Sequence, residues 1–322
     1  MKSPIFIFSL PRSGSTLLQR VLMSHEQIAS VAEPWILLPF FYAIKKEGVL
    51  SEYSHINSAS AINDFIEALP NKKQDFNCEI KNFFNNLYAK QCTNDEMYFL
   101  DKTPRYYLII NEIAEVFPDA KFIFLFRNPI QIFSSIISTF GKGSFKQIYG
   151  SWIDLKNGME DLSLGYKAVE KQSIAINYET FISQPEETIK NICNYLELNY
   201  DESMLQNFSK QKPKGKMGDP TGVKLYKAIS KKTLSKWHET INSKFRVHYL
   251  IKHIKRIDNE IFEIQGYNKE DLLKSLKYHK PKKLLSISDL WNLFKKNMII
   301  KLNLNLFFSK SLKAWSEEKY LS

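Results

Sequence analysis

Short, almost wholly apolar runs alternate with stretches of helical periodicity over the first two thirds of the chain. Residues 4–10 form such a run, and its length and lack of polar alternation predict a strand buried on both faces of a parallel sheet. A helix is expected from 15 to 24 through Leu17, Leu18, Val21 and Leu22. Further strands are expected at 28–32, 97–100, 121–126 and 173–177. Glu33-Pro34-Trp35 ends the second, because the residue before a proline is held extended. Helices are expected through Leu108, Ile109, Ile113 and Val116, and through Ile132, Phe133, Ile136 and Ile137. Asn128 caps the latter and Pro129 takes its first position. The pattern predicts one long helix over 145–169, including Trp152, and another from Pro185 through Ile189, Ile192 and Leu196. Residues 35–90 read as helices and loops, 212–223 as a Lys/Gly/Pro-rich loop, and the basic tail from 241 as helical. No internal repeat interrupts this order. Alternating strands and helices predict an α/β fold, a parallel sheet of the P-loop type flanked by helices, with a helical C-terminal extension.

In such sheets ligands bind beyond the carboxyl ends of the strands. The first residues past the expected strands include Arg12, Glu33, Lys102, Arg127 and Tyr178, which should therefore meet at one sheet edge. The first strand passes through Pro11-Arg12-Ser13-Gly14-Ser15-Thr16 straight into a helix. That arrangement aims backbone N–H groups and a helix N-terminus at one spot, as a phosphate or sulfate requires. Compared with a Walker A loop, Ser9 stands where the first Gly belongs and Ser15 where the Lys belongs, and the cation has moved to Arg12.

Composition narrows the class without naming it. Apolar residues make up 44% and charged residues 25% of 322, ordinary for a globular protein. The net charge of +11 fits an anionic ligand, nucleic acid or anionic lipid, and fits a solvated basic surface equally well. Cys78, Cys92 and Cys193 are far apart and form no metal-binding spacing, which fits a reducing compartment. No signal-peptide pattern opens the chain and no uncharged apolar run reaches the ~18 residues of a membrane span, so the expected location is cytoplasmic. The Lys/Asn/Ile-rich usage fits an AT-rich bacterial genome.

Residues 11–16 resemble the 5′-phosphosulfate loop of sulfotransferases that use 3′-phosphoadenosine 5′-phosphosulfate (PAPS). The Arg is the variant of bacterial and tyrosylprotein-type members, where cytosolic ones have Lys. The resemblance implies that Arg12, Ser13, Gly14, Ser15 and Thr16 hold the phosphosulfate. It further implies that Arg127 and Ser135, eight positions apart, hold the 3′-phosphate, with Tyr178 in Tyr178-Glu179, Lys236 in Ser235-Lys236-Trp237 and Ser230 beside the cofactor. Lys102 in Asp101-Lys102-Thr103-Pro104-Arg105 is similar to the family's catalytic lysine, which neutralises the departing oxygen together with Arg12. Glu33 matches the glutamate base of the tyrosylprotein type. A salt bridge to a loop cation is the alternative for Glu33, a surface residue for Lys102, and a cap with a packing serine for Arg127 through Ser135. His25, about 15 Å along the helix from Ser15, points to the opposite edge and reads as structural. The role of Arg105 stays open.

The resemblance covers about residues 4–240, implying a sulfotransferase domain at 1–240 and a basic extension at 241–322. It implies PAPS as donor, no metal, and an acceptor among saccharides, peptide tyrosines and small alcohols. A P-loop kinase or nucleotide-binding protein with a degenerate Walker loop is the alternative. That reading wants a Mg²⁺ carboxylate at a strand end, where the clearest strand instead meets Arg127. A nucleic-acid-binding role wants aromatics interleaved with basic residues, a pattern not found here.

Overall fold

The computed structural model describes residues 2–148, 150–215, 217–218, 228–302 and 304. Its centre is a five-stranded sheet in the order β2-β3-β1-β4-β5. The strands are β1 (Ser3–Ser9), β2 (Ile28–Ser30), β3 (Tyr98–Asp101), β4 (Lys121–Phe126) and β5 (Ser173–Asn177), and every pairing is parallel. The register sets Ile5 opposite Leu100 and Phe8 opposite Phe124. Successive side chains leave a strand on opposite faces, and in β1 this sorts the core by chemistry. Phe6 and Phe8 join Phe99, Phe122, Phe124 and Phe126 on an aromatic face. Ile5 and Ile7 join Leu100, Ile123, Leu125 and Ile176 on an aliphatic one.

The helices follow from their apolar stripes. The aliphatic face is covered by α1 (Ser15–Leu22), α9 (Tyr178–Ser183), α10 (Pro185–Tyr195) and α11 (Ser203–Asn207). Between β2 and β3 lie α2 (Leu37–Ala43), α3 (His55–Glu67) and α4 (Lys73–Ala89), and α4 lays Phe84 and Tyr88 on the aromatic face. A 3₁₀ turn (Pro104–Ile109) precedes α5 (Ile110–Val116), where one helix was expected. The break falls at Ile109, whose φ of −140° is not helical. After β4, α6 (Pro129–Thr139) starts as its sequence predicts, with Asn128 Oδ1 accepting from the Ile130 N–H at 2.9 Å.

The single helix expected over 145–169 is instead a 3₁₀ turn (Phe145–Gln147), α7 (Trp152–Lys156) and α8 (Gly158–Val169). The cause is tertiary. Gly158 lies so close to Leu10 that a Cβ there would meet the Leu10 side chain, and Asn157-Gly158 is where the chain re-aims.

Beyond α12 (Lys232–Ser235) and α13 (Trp237–Thr240), the extension forms α14 (Lys244–Lys255), α15 (Asn259–Ile264), α16 (Lys269–Tyr278) and α17 (Ile287–Lys301). Ile241, Leu250, Ile254, Phe262 and Leu276 belong to the same core as the aromatic sheet face. Gln265 donates to the Met159 carbonyl and to Ser163. Arg246 forms an ion pair with Asp289 at 2.6 Å, with both side chains almost wholly buried. Its guanidinium also donates to the Thr240 and Gly143 carbonyls, and Asp289 accepts from the Phe145 N–H. Removing one partner of such a pair leaves a buried charge without compensation, which costs about 3–5 kcal/mol. Arg246→Leu should lower urea stability by that order, and Arg246→Leu/Asp289→Leu should recover most of it. A loss under about 1 kcal/mol in the single variant would show that the pair does not hold the extension.

Candidate active site

The turn after β1 is built on two left-handed residues. Arg12 has φ 72° and Gly14 has φ 91°. Gly14 also lies against the Tyr178 ring, where a Cβ has no room. The Ser13 N–H closes the turn on the Leu10 carbonyl at 3.2 Å, and α1 begins at Ser15. The first N–H groups of α1 have no intrahelical partner, so they face outward from the helix end. The Ser13 hydroxyl is buried without a hydrogen-bond partner.

The strand-end residues stand in one connected set of contacts. Arg127 Nη1 donates to the Arg12 carbonyl at 2.7 Å, and its Nε and Nη2 donate to Gln131 Oε1 at 3.2 and 3.1 Å. The Arg127 guanidinium lies 4.1 Å from the centre of the Tyr178 ring, close enough for a cation–π contact. Arg12 turns toward α6, where Nε donates to Ser135 Oγ and Nη2 to Thr139 Oγ1, each at 3.1 Å. Loop and helix, 123 residues apart in sequence at Arg12 and Ser135, thus meet directly.

Glu33 and Lys102 pair with each other. Lys102 Nζ is 2.7 Å from Glu33 Oε1 and 3.3 Å from Thr16 Oγ1, and the Lys102 side chain is 1% exposed. Glu33 Oε2 accepts from the Trp35 indole N–H at 3.2 Å. The turn that carries Glu33 is held from below. Asp101 is fully buried and accepts from the hydroxyls of Tyr88 (2.7 Å), Tyr106 (3.1 Å) and Thr103 (3.2 Å). Thr103 and Tyr106 in turn accept from the backbone N–H groups of Trp35 and Leu37.

These elements border a cleft of about 580 Å³, whose lining includes Arg12, Gly14, Ser15, Thr16, Glu33, Arg127 and Ser135. The lining continues through Trp35, Pro104, Arg105, Phe140, Gly150, Ser151 and Asp154, with the Arg12 guanidinium 5.4 Å from the centre of the Phe140 ring. Arg105 donates to Asp154 Oδ2 and to the Gly150 carbonyl, each at 3.0 Å, and the Tyr107 hydroxyl donates to Asp154 Oδ1 at 2.8 Å. Tyr178 lies behind the loop and donates to Thr233 Oγ1, which donates to the Ser230 carbonyl. Ser230 and Lys236 are not among the lining residues, and Lys236 is exposed. His25 is buried away from the cleft, with Nε2 by the Asn199 carbonyl and Nδ1 accepting from the Gln27 N–H. Sequence reasoning did not single out Asp154, Thr139, Phe140 or the Asp101 network. Asp101 was expected just past the third strand, whereas the structure makes it the last residue of β3.

A strand–turn–helix loop with cations gathered at the carboxyl edge of a parallel sheet is the arrangement with which α/β proteins hold nucleotides and other anions. A family model described as "Sulfotransferase family" matches residues 4–202, more than half of the chain, and the chain belongs to that family. The nodulation protein NoeE of Sinorhizobium fredii is 26% identical over 58% of this chain and 48% of its own length. A putative protein-tyrosine sulfotransferase of Caenorhabditis briggsae is 24% identical over 73% of this chain and 80% of its own. The chain therefore spans about half the length of the first of these relatives. The solved sulfotransferase domain from the Synechococcus PCC 7002 olefin synthase superposes with a TM-score of 0.52 at 23% identity, covering 87% of this chain and 98% of that one. It shares the fold.

Burial pushes the Asp101 carboxyl up from its ordinary 3.8 to about 6, against the opposing pull of its three hydroxyl donors and the Lys102 charge. A group raised in the folded state stabilises fully below its unfolded pKa, and that stability is lost as pH rises through the folded value. Here the window runs from 3.8 to about 6 and corresponds to about 3 kcal/mol. Carboxyl ¹³C NMR should show Asp101 titrating near 6, and Tyr106→Phe should move the midpoint higher by removing a donor to the ionised form. A midpoint below about 4.5 would remove this account of the buried carboxyl.

Proposed function

We propose that this chain transfers a sulfuryl group from PAPS to an acceptor hydroxyl. The observation that carries this reading is the direct joining of the loop to the Arg127–Ser135 segment through Arg12. On this reading two anion positions share one cleft. The residues fit a doubly anionic nucleotide. The buried Ser13 hydroxyl has no partner within the protein. Four cations, Arg12, Lys102, Arg105 and Arg127, also stand against two carboxylates, Glu33 and Asp154.

On this reading Ser13, Gly14, Ser15 and Thr16 with Arg12 hold the 5′-phosphosulfate, and Arg127 with Ser135 holds the 3′-phosphate over the Tyr178 ring. Ser230 and Lys236 are assigned to the cofactor on the resemblance alone. PAPS supplies a sulfuryl group on a phosphate leaving group. Lys102, against the loop at Thr16, is placed to neutralise negative charge as it develops there. Each Glu33 oxygen has one donor in this structure and keeps a lone pair for the acceptor proton, which supports Glu33 as the general base on this reading. The cations supply the charge neutralisation, so the reading includes no metal requirement, and its setting is bacterial and cytoplasmic.

The remaining lining residues take the acceptor. Trp35 and Phe140 offer aromatic faces, and Arg105, Ser151 and Asp154 offer polar contacts, a mixture suited to a saccharide hydroxyl. A tyrosyl side chain is the second reading, favoured by the protein-tyrosine sulfotransferases among the relatives.

Calorimetry with 3′,5′-ADP in the presence of EDTA tests the cofactor assignment. Arg12→Ala and Arg127→Ala should each weaken binding by about tenfold or more, the scale of a lost charge-assisted hydrogen bond. Unchanged binding in both variants would sink the assignment. Transfer of radiolabelled sulfate to a panel of saccharides, tyrosyl peptides and small alcohols tests the base. Glu33→Gln should keep nucleotide affinity yet lose about 10²–10⁴-fold in turnover. Full turnover in that variant would return the role to another residue.

A further inference from the structure

The last described helix, α17, has its polarity reversed. Its core-facing positions include Asp289 and Lys296, at 0% and 5% exposure. Asp289 receives Arg246, and Lys296 Nζ lies 3.5 Å from the centre of the Trp152 ring. Ile287, Leu290, Trp291, Phe294 and Met298 occupy the opposite face at i, i+3, i+4, i+7 and i+11, and all are exposed, Ile287 by 80% and Trp291 by 57%. Leu284, at 72% exposure, extends the apolar face ahead of the helix. Trp291 and Phe294 stack on each other, with ring centres 5.7 Å apart. A surface helix of a globular domain puts these two classes of residue the other way round, and a contiguous apolar face of this kind marks an interaction site.

The charge around that face selects the partner. Lys280, Lys282, Lys283, Lys295 and Lys301 are exposed along the segment, and its one acidic residue, Asp289, is buried and already paired. A second copy docking here would bring like charges together. An anionic bilayer complements both features, since aromatic and aliphatic side chains settle at the headgroup boundary while lysines meet lipid phosphates. We propose that α17 is a peripheral membrane-docking helix that lays its Ile287–Leu290–Trp291–Phe294–Met298 face into an anionic lipid surface.

The helix is seated firmly enough to carry the rest of the protein. Beside the Arg246–Asp289 pair, the Phe245 N–H donates to the Leu284 carbonyl and the Lys283 N–H to the Asn242 carbonyl. Phe145 and Trp152, which contact Asp289 and Lys296, belong to the segment whose Phe140, Ser151 and Asp154 wall the cleft. Membrane docking would therefore be coupled to that wall through two side chains. The proposal stands apart from the donor chemistry, and its test uses neither nucleotide nor acceptor.

The 322-residue chain is sedimented with vesicles of phosphatidylcholine alone and of phosphatidylcholine with about one third phosphatidylglycerol, at low and high salt. The anionic vesicles should bind at least about tenfold more tightly than the neutral ones, and high salt should weaken that binding. Trp291→Ser/Phe294→Ser changes exposed side chains only, so it should keep the thermal transition while losing about tenfold or more in vesicle affinity. Lys280→Glu/Lys282→Glu/Lys283→Glu should lose the preference for anionic lipid with the apolar face intact. Equal binding to both vesicle types, or unchanged binding by the Trp291/Phe294 variant, overturns the proposal. A dimer that this variant dissociates, without vesicle binding by the parent chain, assigns the face to a second copy and overturns it as well.

Discussion

The site hangs on the carbonyl oxygen of Arg12. A non-glycine residue at φ 72° is held there against a local cost of about 1–2 kcal/mol, and the Arg127 guanidinium meets the exposed carbonyl at 2.7 Å. That contact is available because β1 and β4 are parallel neighbours, so the residues just past their ends lie on one edge. The next strand end supplies the floor. Tyr178, just past β5, puts its ring under Arg127 and against Gly14. Glu179, beside it, accepts from the Asn128 N–H and from the Tyr267 hydroxyl of the extension. Three strand ends thus share one stack, and a side chain added at Gly14 would disturb all three.

A second device works at the end of β3. Asp101 turns into the aromatic face and gathers Tyr88, Tyr106 and Thr103, while Lys102, the next residue, points to the other side and reaches Glu33 and Thr16. Neighbouring residues of an extended chain diverge in this way by geometry alone. The consequence is that Glu33 is positioned from two sides, by the Lys102 ion pair and by the backbone of its own turn. The bland alternative for Glu33, a salt bridge to a nearby cation, and the functional one are not exclusive here. Lys102 is itself the residue assigned to the departing phosphate, so on the proposed reading the pair brings base and cation to one point.

What could be read in the chain divides along physical lines. The five strands were legible because each is a short apolar run closed by Pro, Gly or charge, and the fold class followed from their alternation with helices. The strand-end set was legible because a parallel sheet sends all its carboxyl ends one way. The break at Asn157-Gly158 was not, since it depends on Leu10, distant in sequence. Nor was the Asp101 hub, because nothing in its segment says that Tyr88 of α4 will arrive beneath it. The basic tail read as helical, with its charge left open between a solvated surface and an anion-binding one. The burial of Asp289 and Lys296 became visible only with their partners Arg246 and Trp152 in place.

The same division runs through the lining of the cleft. The residues assigned to the donor come from strand ends and from α1 and α6, which follow them, so their positions follow from strand order. The residues assigned to the acceptor come from connections: Trp35 after β2, Arg105 in a 3₁₀ turn, and Phe140, Gly150, Ser151 and Asp154 between α6 and α8. Sheet topology does not dictate where such segments go, and tertiary contacts must hold them. For residues 140–154 those contacts come from Tyr107 and Arg105 on one side and from Arg246, Asp289 and Lys296 of the extension on the other. The extension is therefore part of the architecture that shapes this part of the cleft, although the family match ends at residue 202. On this reading, relatives that share the strand ends but differ beyond that point would keep the donor and change the acceptor.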